Sequence, residues 1–159
     1  MKLRIIPTII CVFGFAATVF AAPTPAVFQM RLADARPTAN SVPMTCITQN
    51  EYSILTNVLY VQKTVLIDQS ALVSARVVSQ SGEGNVLITF TKSGAQRLAE
   101  ITRDNIRKYL AILINGQLCE APLIMGEISS GKAQITGGFS EAQAEAIANQ
   151  INQTIAKRR

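Results

Sequence analysis

The chain has 159 residues, of which 48% are hydrophobic, 16% charged and 6% aromatic, with a formal net charge of +5 and no histidine. That length and apolar content suit one domain with a real core and exclude a disordered or nucleic-acid-tail composition. Without histidine, no Ser-His-Asp triad, Cys-His pair, HExxH zinc site or haem histidine can be built from this chain alone.

The first segment reads as an export signal. Lys2 and Arg4 supply a positive start, Ile5 to Phe20 an apolar stretch, and Val19-Phe20-Ala21 the small residues that signal peptidase requires. This places a signal peptide at 1–21 with cleavage after Ala21 and an exported, periplasmic protein; an uncleaved membrane anchor is the alternative. Those two charges and the three of Lys157, Arg158 and Arg159 account for the whole net charge, so the body between them is neutral. No basic stripe is left to displace counterions from phosphates, and no nucleic-acid partner is expected.

Residues 22–58 read as a Pro-rich leader, one strand and a linker. Val27 to Ala33 alternates as a strand, and Asp34 to Pro43, with two prolines, reads as a loop. A domain of residues 59–156 follows. Leu59 to Val61 is a short apolar run. Ser74 to Gln80 and Val86 to Thr91 read as strands around the hairpin loop Ser81 to Asn85. Thr91 can cap a helix running from Lys92 to about Tyr109, with Ala95, Leu98, Ala99, Ile101, Ile106 and Tyr109 forming its apolar stripe.

Leu110 to Ile114 is a near-continuous apolar strand. Asn115-Gly116 then gives a strong two-residue hairpin signal, because a type I′ turn needs positive φ at both positions. Gln117 to Ile124 returns as its partner until Ala121-Pro122 interrupts it. Lys132 to Thr136 is a further strand, ended by a Gly137-Gly138 turn. Ser140 and Gln143 fit a capping box for a helix from Glu141 to about Thr154, where Ala144, Ile147, Ile151 and Ile155 share a face. Lys157–Arg159 form a basic tail. The expected fold is α+β: a largely antiparallel sheet with two amphipathic helices packed on one face.

Little of this points to catalysis. Gly126 to Lys132 has the GxxxxGK spacing of a phosphate-binding loop, but Ala133 replaces the metal-holding hydroxyl and a strand, not a helix, follows. No nucleotide, cofactor or metal is expected, and no carboxylate pair marks an acid/base couple. Ser129-Ser130 beside Lys132 lies in a polar loop that does not desolvate the lysine. Asn152-Gln153-Thr154 is a formal glycosylation sequon. With Cys11 lost in the signal peptide, Cys46 and Cys119 remain as an even pair in an oxidising compartment. A Cys46–Cys119 bridge would tie the N-terminal segment to the core; two unrelated thiols, one of them a buried small hydrophobe, is the alternative.

Several spaced blocks resemble one family. They are Leu59-Tyr60-Val61, Ile88 to Thr91 with Gly94, Ala99 to Thr102, Asn105-Ile106 with Lys108, Leu110 to Ile112, Asn115-Gly116, Ala121-Pro122, Ile128 with Gly131, and Gln134 to Ala142. In this order they resemble the periplasmic head subdomain of SecD and SecDF, a protein-export accessory family. Met30-Arg31-Leu32 looks like the strand by which that family enters the subdomain. The whole SecD, with its transmembrane helices and a base subdomain, works with SecF to use the proton gradient to draw exported chains outward. This chain has neither the helices nor the intramembrane carboxylate, and it looks like a freestanding head.

The resemblance implies a non-catalytic binding module that contacts translocating or unfolded polypeptide, or a Sec-linked protein at the periplasmic face of the inner membrane, with at most peripheral membrane contact. It supplies no catalytic residues, and the binding residues are not readable. Cys119 stands where the family usually has an aliphatic or aromatic residue. The alternative is a sensory or regulatory domain docking on an inner-membrane receptor or peptidase independently of Sec.

Overall fold

The computed structural model describes residues 27–50, 53–80 and 83–158. The expected signal peptide and the leader up to Ala26 lie outside the described residues. Among the described residues no helix is long and apolar enough to cross a membrane.

In chain order the elements are β1 (Phe28–Asp34), β2 (Ser41–Asn50), β3 (Ser53–Gln62), β4 (Ile67–Asp68), a 3-10 turn (Gln69–Ala71), β5 (Leu72–Gln80), β6 (Glu83–Phe90), α1 (Lys92–Asp104), β7 (Tyr109–Ile114), β8 (Gln117–Glu120), β9 (Lys132–Phe139) and α2 (Glu141–Ala156). All strand pairing is antiparallel, and the fold is α+β. The strands divide into two sheets. The larger runs β2-β3-β1-β7-β8 with β4 added to β1, and the smaller runs β5-β6-β9.

Alternation along β1 and β7 builds two cores, one on each face of the large sheet. Phe28, Met30 and Leu32 of β1 join Leu110, Ile112 and Ile114 of β7 against the small sheet, Leu98 of α1 and Ile151 of α2. Ala33, Ala111 and Leu113 face the other way and meet Val61, Leu59, Cys46 and Leu118. This second core exists because the large sheet curls and brings its two edges, β2 and β8, near each other without pairing them.

The Asn115-Gly116 turn forms as expected, with φ of 51° and 80°. The Ser140–Gln143 capping box is also present: Gln143 N–H donates to Ser140 Oγ, and the Ser140 N–H donates to the Gln143 side chain.

Several expectations are corrected. The loop from Asp34 ends at Asn40, since β2 already begins at Ser41; Pro43 is tolerated there because β2 is an edge strand whose outer side needs no ladder donor. The linker assigned to 22–58 therefore holds β2 and half of β3, and its boundary falls inside that strand. Helix α1 stops at Asp104, not Tyr109. The Asn105 side chain caps the Ile101 carbonyl at 2.9 Å and Arg107 takes a φ of 68°, which turns the chain into β7 and leaves Ile106 exposed. Glu83 to Asn85 belong to β6, not to a loop. Gly84 is a strand residue pressed under α2, where an added Cβ would lie 2.7 Å from the Ser140 carbonyl oxygen. The Ser81-Gly82 part of that loop lies outside the described residues.

Candidate functional site

Two irregular strands meet at one place. In β8, Leu118 opposes Leu113 and Glu120 opposes Ile112, so Cys119 is an extra residue, the centre of a β-bulge. In β9, Ile135 opposes Val86 and Phe139 opposes Gly84, which leaves Thr136, Gly137 and Gly138 against Asn85 alone. Gly137-Gly138 is thus a bulge inside a continuous strand and not the expected turn, with Gly138 at a φ of 66° that glycine takes without strain. The strand continues because Phe139 still pairs with β6 beyond the irregularity.

The two bulges are tied together by Glu120. Its carboxylate accepts from the Thr136 N–H at 2.9 Å and from the Thr136 hydroxyl at 2.8 Å, and so joins the large sheet to the small one. Beside this clasp lies a cleft of about 460 Å³, lined by Cys46, Asn57, Val58, Leu59, Tyr109, Cys119 to Pro122, and Thr136 to Gly138. Its walls are mixed: apolar surface from Val58, Leu59, Tyr109 and Pro122, and main chain from the two bulges. The edges β2 and β8 both border it.

Cys46 and Cys119, expected as a pair, are brought together here. The Cys46 thiol donates toward the Cys119 carbonyl oxygen at 3.9 Å across the β2–β8 seam, while the Cys119 thiol donates to the Gln117 carbonyl at 3.7 Å. Cys46 is buried in the second core, and Cys119 is partly buried with contact to the first. Burial pushes the Cys119 thiol pKa up from its ordinary value. The Ile114 N–H beside the sulfur works against that rise, and the neighbouring Cys46 and Glu120 add to it.

The other residues singled out from sequence lie elsewhere. Lys132 opens β9 opposite Thr89, and the Gly131 carbonyl accepts from the Phe90 N–H at 3.0 Å, so the Gly126–Lys132 segment is a connection into a strand. The Ser130 hydroxyl is turned locally, toward the Lys132 carbonyl at 3.2 Å. Asn152 of the sequon is engaged: its amide donates to the Ala75 carbonyl at 2.8 Å and accepts from the Ala75 N–H at 2.9 Å, which clamps α2 to β5. In the basic tail, Arg158 donates to the Gln69 carbonyl and docks the end of α2 on the 3-10 turn.

Local sequence carries no signal that joins Glu120, Tyr109 and the Thr136 bulge in one site. The glycine pair was visible, but its strand role depends on pairing with β6.

Comparison with known proteins follows the same geometry. Residues 45–154 match the family model of the SecDF P1 head subdomain, a span that contains β8, β9 and both bulges. The protein translocase subunit SecD of Leptotrichia buccalis is 43% identical over 86 residues, which cover 54% of this chain and 21% of that protein. The protein translocase subunit SecDF of Thermus thermophilus is 42% identical over 84 residues, covering 52% of this chain and 11% of that protein. A solved structure of SecDF, described as a membrane component that enhances protein export, matches 80% of this chain and 62% of its own at a TM-score of 0.61 and 26% identity. The chain therefore spans about a fifth or less of the curated relatives it matches. Shared sequence blocks, a shared fold and a matched span covering most of the described elements lead to one conclusion: this chain belongs to the SecDF P1 head subdomain family, a protein-export family.

Proposed function

We propose that this chain is an exported, non-catalytic module of the periplasm whose cleft receives an extended segment of translocating or unfolded polypeptide. The observation that carries this reading is the pair of sheet edges, β2 and β8, that border the cleft beside the main-chain bulge at Thr136 to Gly138. An extended chain satisfies its own N–H and C=O groups by pairing with such edges, and main-chain pairing is indifferent to side-chain sequence. That indifference suits a partner that must handle many exported chains. Val58, more than half exposed at 52%, and Tyr109 offer apolar surface to the side chains of the guest. Both Glu120 oxygens accept from Thr136, so that carboxylate serves as a structural clasp beside the cleft.

The test is a titration of a permanently unfolded, carboxymethylated protein into the 15N-labelled full chain, followed by amide NMR. Shifts concentrated at Thr136 to Gly138, Cys119 and Cys46 are expected. Absence of binding, or shifts confined to the outer face of α2, overturns the reading.

A further inference from the structure

A bulged residue is released from the strict up-and-down alternation of its strand, and its side chain can be re-aimed without moving its neighbours. Cys119 is such a residue. It lies across the seam from Cys46, whose sulfur is 3.9 Å from the Cys119 carbonyl oxygen, and both line the same cleft. The two residues are thiols in this structure.

We infer that Cys46 and Cys119 are a redox pair whose disulfide staples β2 to β8 and closes the seam of the curled sheet. Bridging requires the Cys119 side chain to leave its weak contact with the Gln117 carbonyl at 3.7 Å and swing to the Cys46 side of the seam. A hydrogen bond to sulfur at that distance is weak and opposes the movement little.

The chemistry is thiol–disulfide exchange with an external disulfide as oxidant, either a small-molecule disulfide or a disulfide-donating oxidoreductase. Cys119, the more exposed of the two, attacks as its thiolate and displaces one thiol from the oxidant, forming a mixed disulfide. Cys46 then attacks the Cys119 sulfur and displaces the second thiol. The protein pair loses two electrons and two protons, the oxidant gains both and leaves as two thiols, and one S–S bond replaces another.

The staple links residues far apart in the chain, so it restricts the unfolded state strongly. It also ties together the two edges that border the cleft. That second consequence rests on the polypeptide reading above: with the edges stapled, an extended guest loses its pairing partners.

The test uses the full chain carrying Cys11→Ser, so that Cys46 and Cys119 are the remaining cysteines, exposed to oxidised glutathione under native conditions. The expected product is a monomer lighter by its two lost hydrogens, with a peptide map joining the Cys46 and Cys119 peptides. Its melting temperature should lie roughly 5 °C or more above that of the reduced form and return on reduction. Adding Cys46→Ser or Cys119→Ser should leave a glutathione adduct and abolish the shift. Glutathione carried separately on both cysteines, or bridges between two copies of the chain, overturns the staple. A carboxymethylated unfolded protein separates the second consequence. At least ~10-fold weaker binding by the bridged form supports it, and that factor corresponds to about 1.4 kcal/mol. Equal affinities overturn it while leaving the staple intact. Failure of both forms to bind counts against the polypeptide reading alone, because mapping and melting decide the staple independently.

Discussion

Glu120 and Thr136 hold the two sheets together through one carboxylate: the Thr136 N–H and hydroxyl donate to its separate oxygens at 2.9 and 2.8 Å. The carboxylate sits next to the Cys119 bulge and the threonine opens the β9 bulge, so the clasp couples two irregularities that neither sheet needs for its own pairing. Glu120→Ala removes both acceptors at a partly exposed site and should cost about 1–2 kcal/mol in denaturant unfolding. Hydrogen exchange should accelerate at the Thr136 amide while the Ile135 amide keeps its protection. Equal acceleration along the whole of β9 would show that the clasp holds the strand and not the cleft.

Thr102 pins the connection that leads to the cleft. It is fully buried in α1, its hydroxyl donates to the Leu98 carbonyl at 2.8 Å, and it accepts from the Ile128 N–H at 2.9 Å. Thr102→Val keeps the shape and leaves the Ile128 N–H without this partner, which should cost about 2 kcal/mol. Thr102→Ser keeps the hydroxyl and should lose less than half as much. The two variants compared in urea unfolding decide whether the hydroxyl or the methyl group matters.

How far the fold could be read in advance depended on whether its cause was local. The capping box at Ser140 and Gln143 and the turn at Asn115-Gly116 are set by residues within four positions of each other, and both formed as their chemistry required. β2 was hidden because Pro43 normally ends a strand, and it is permitted only by an edge position that local sequence does not encode. Gly137-Gly138 reads as a turn from local sequence because a bulge is defined by the partner strand, here β6, where a single Asn85 stands opposite three residues. The same holds for the site. Cys46 and Cys119 could be paired by counting cysteines, but Glu120 meeting Thr136 depends on how two sheets are laid together.

Gly84 tests the packing of α2 against the small sheet. A Cβ there would lie 2.7 Å from the Ser140 carbonyl, 2.8 Å from the Ala144 Cβ and 2.8 Å from the Glu141 Cα. Two of these atoms are backbone in the first turn of the helix and cannot step aside independently. Gly84→Ala should therefore destabilise the fold by about 2–3 kcal/mol, although alanine favours a strand more than glycine does. A calorimetric melt checks this. An unchanged melting temperature would mean that α2 rides on the sheet more loosely than its capped N-terminus suggests.

Cys119 gives the reduced protein a defined response to alkali. Burial is the main cause of its raised pKa, only partly offset by the Ile114 N–H. The folded state then keeps the thiol proton at a pH where the unfolded chain, with an ordinary thiol near 8.5, has begun to lose it. Unfolding above that pH releases a proton, so the contribution to stability is complete below the ordinary thiol range and is lost as pH climbs through the folded value. Denaturant melts of the full chain in excess reductant, run at about pH 7 and pH 9.5 beside Cys119→Ser, isolate this site from the other titrating groups. The stability of the parent relative to the variant should fall on going to the higher pH. Alkylation of Cys119 by iodoacetamide should also be slower than in the unfolded chain at the same alkaline pH, because less of the reactive thiolate is present. A parent that gains on the variant in alkali, or alkylates faster when folded, would mean that the Ile114 N–H outweighs burial at this bulge.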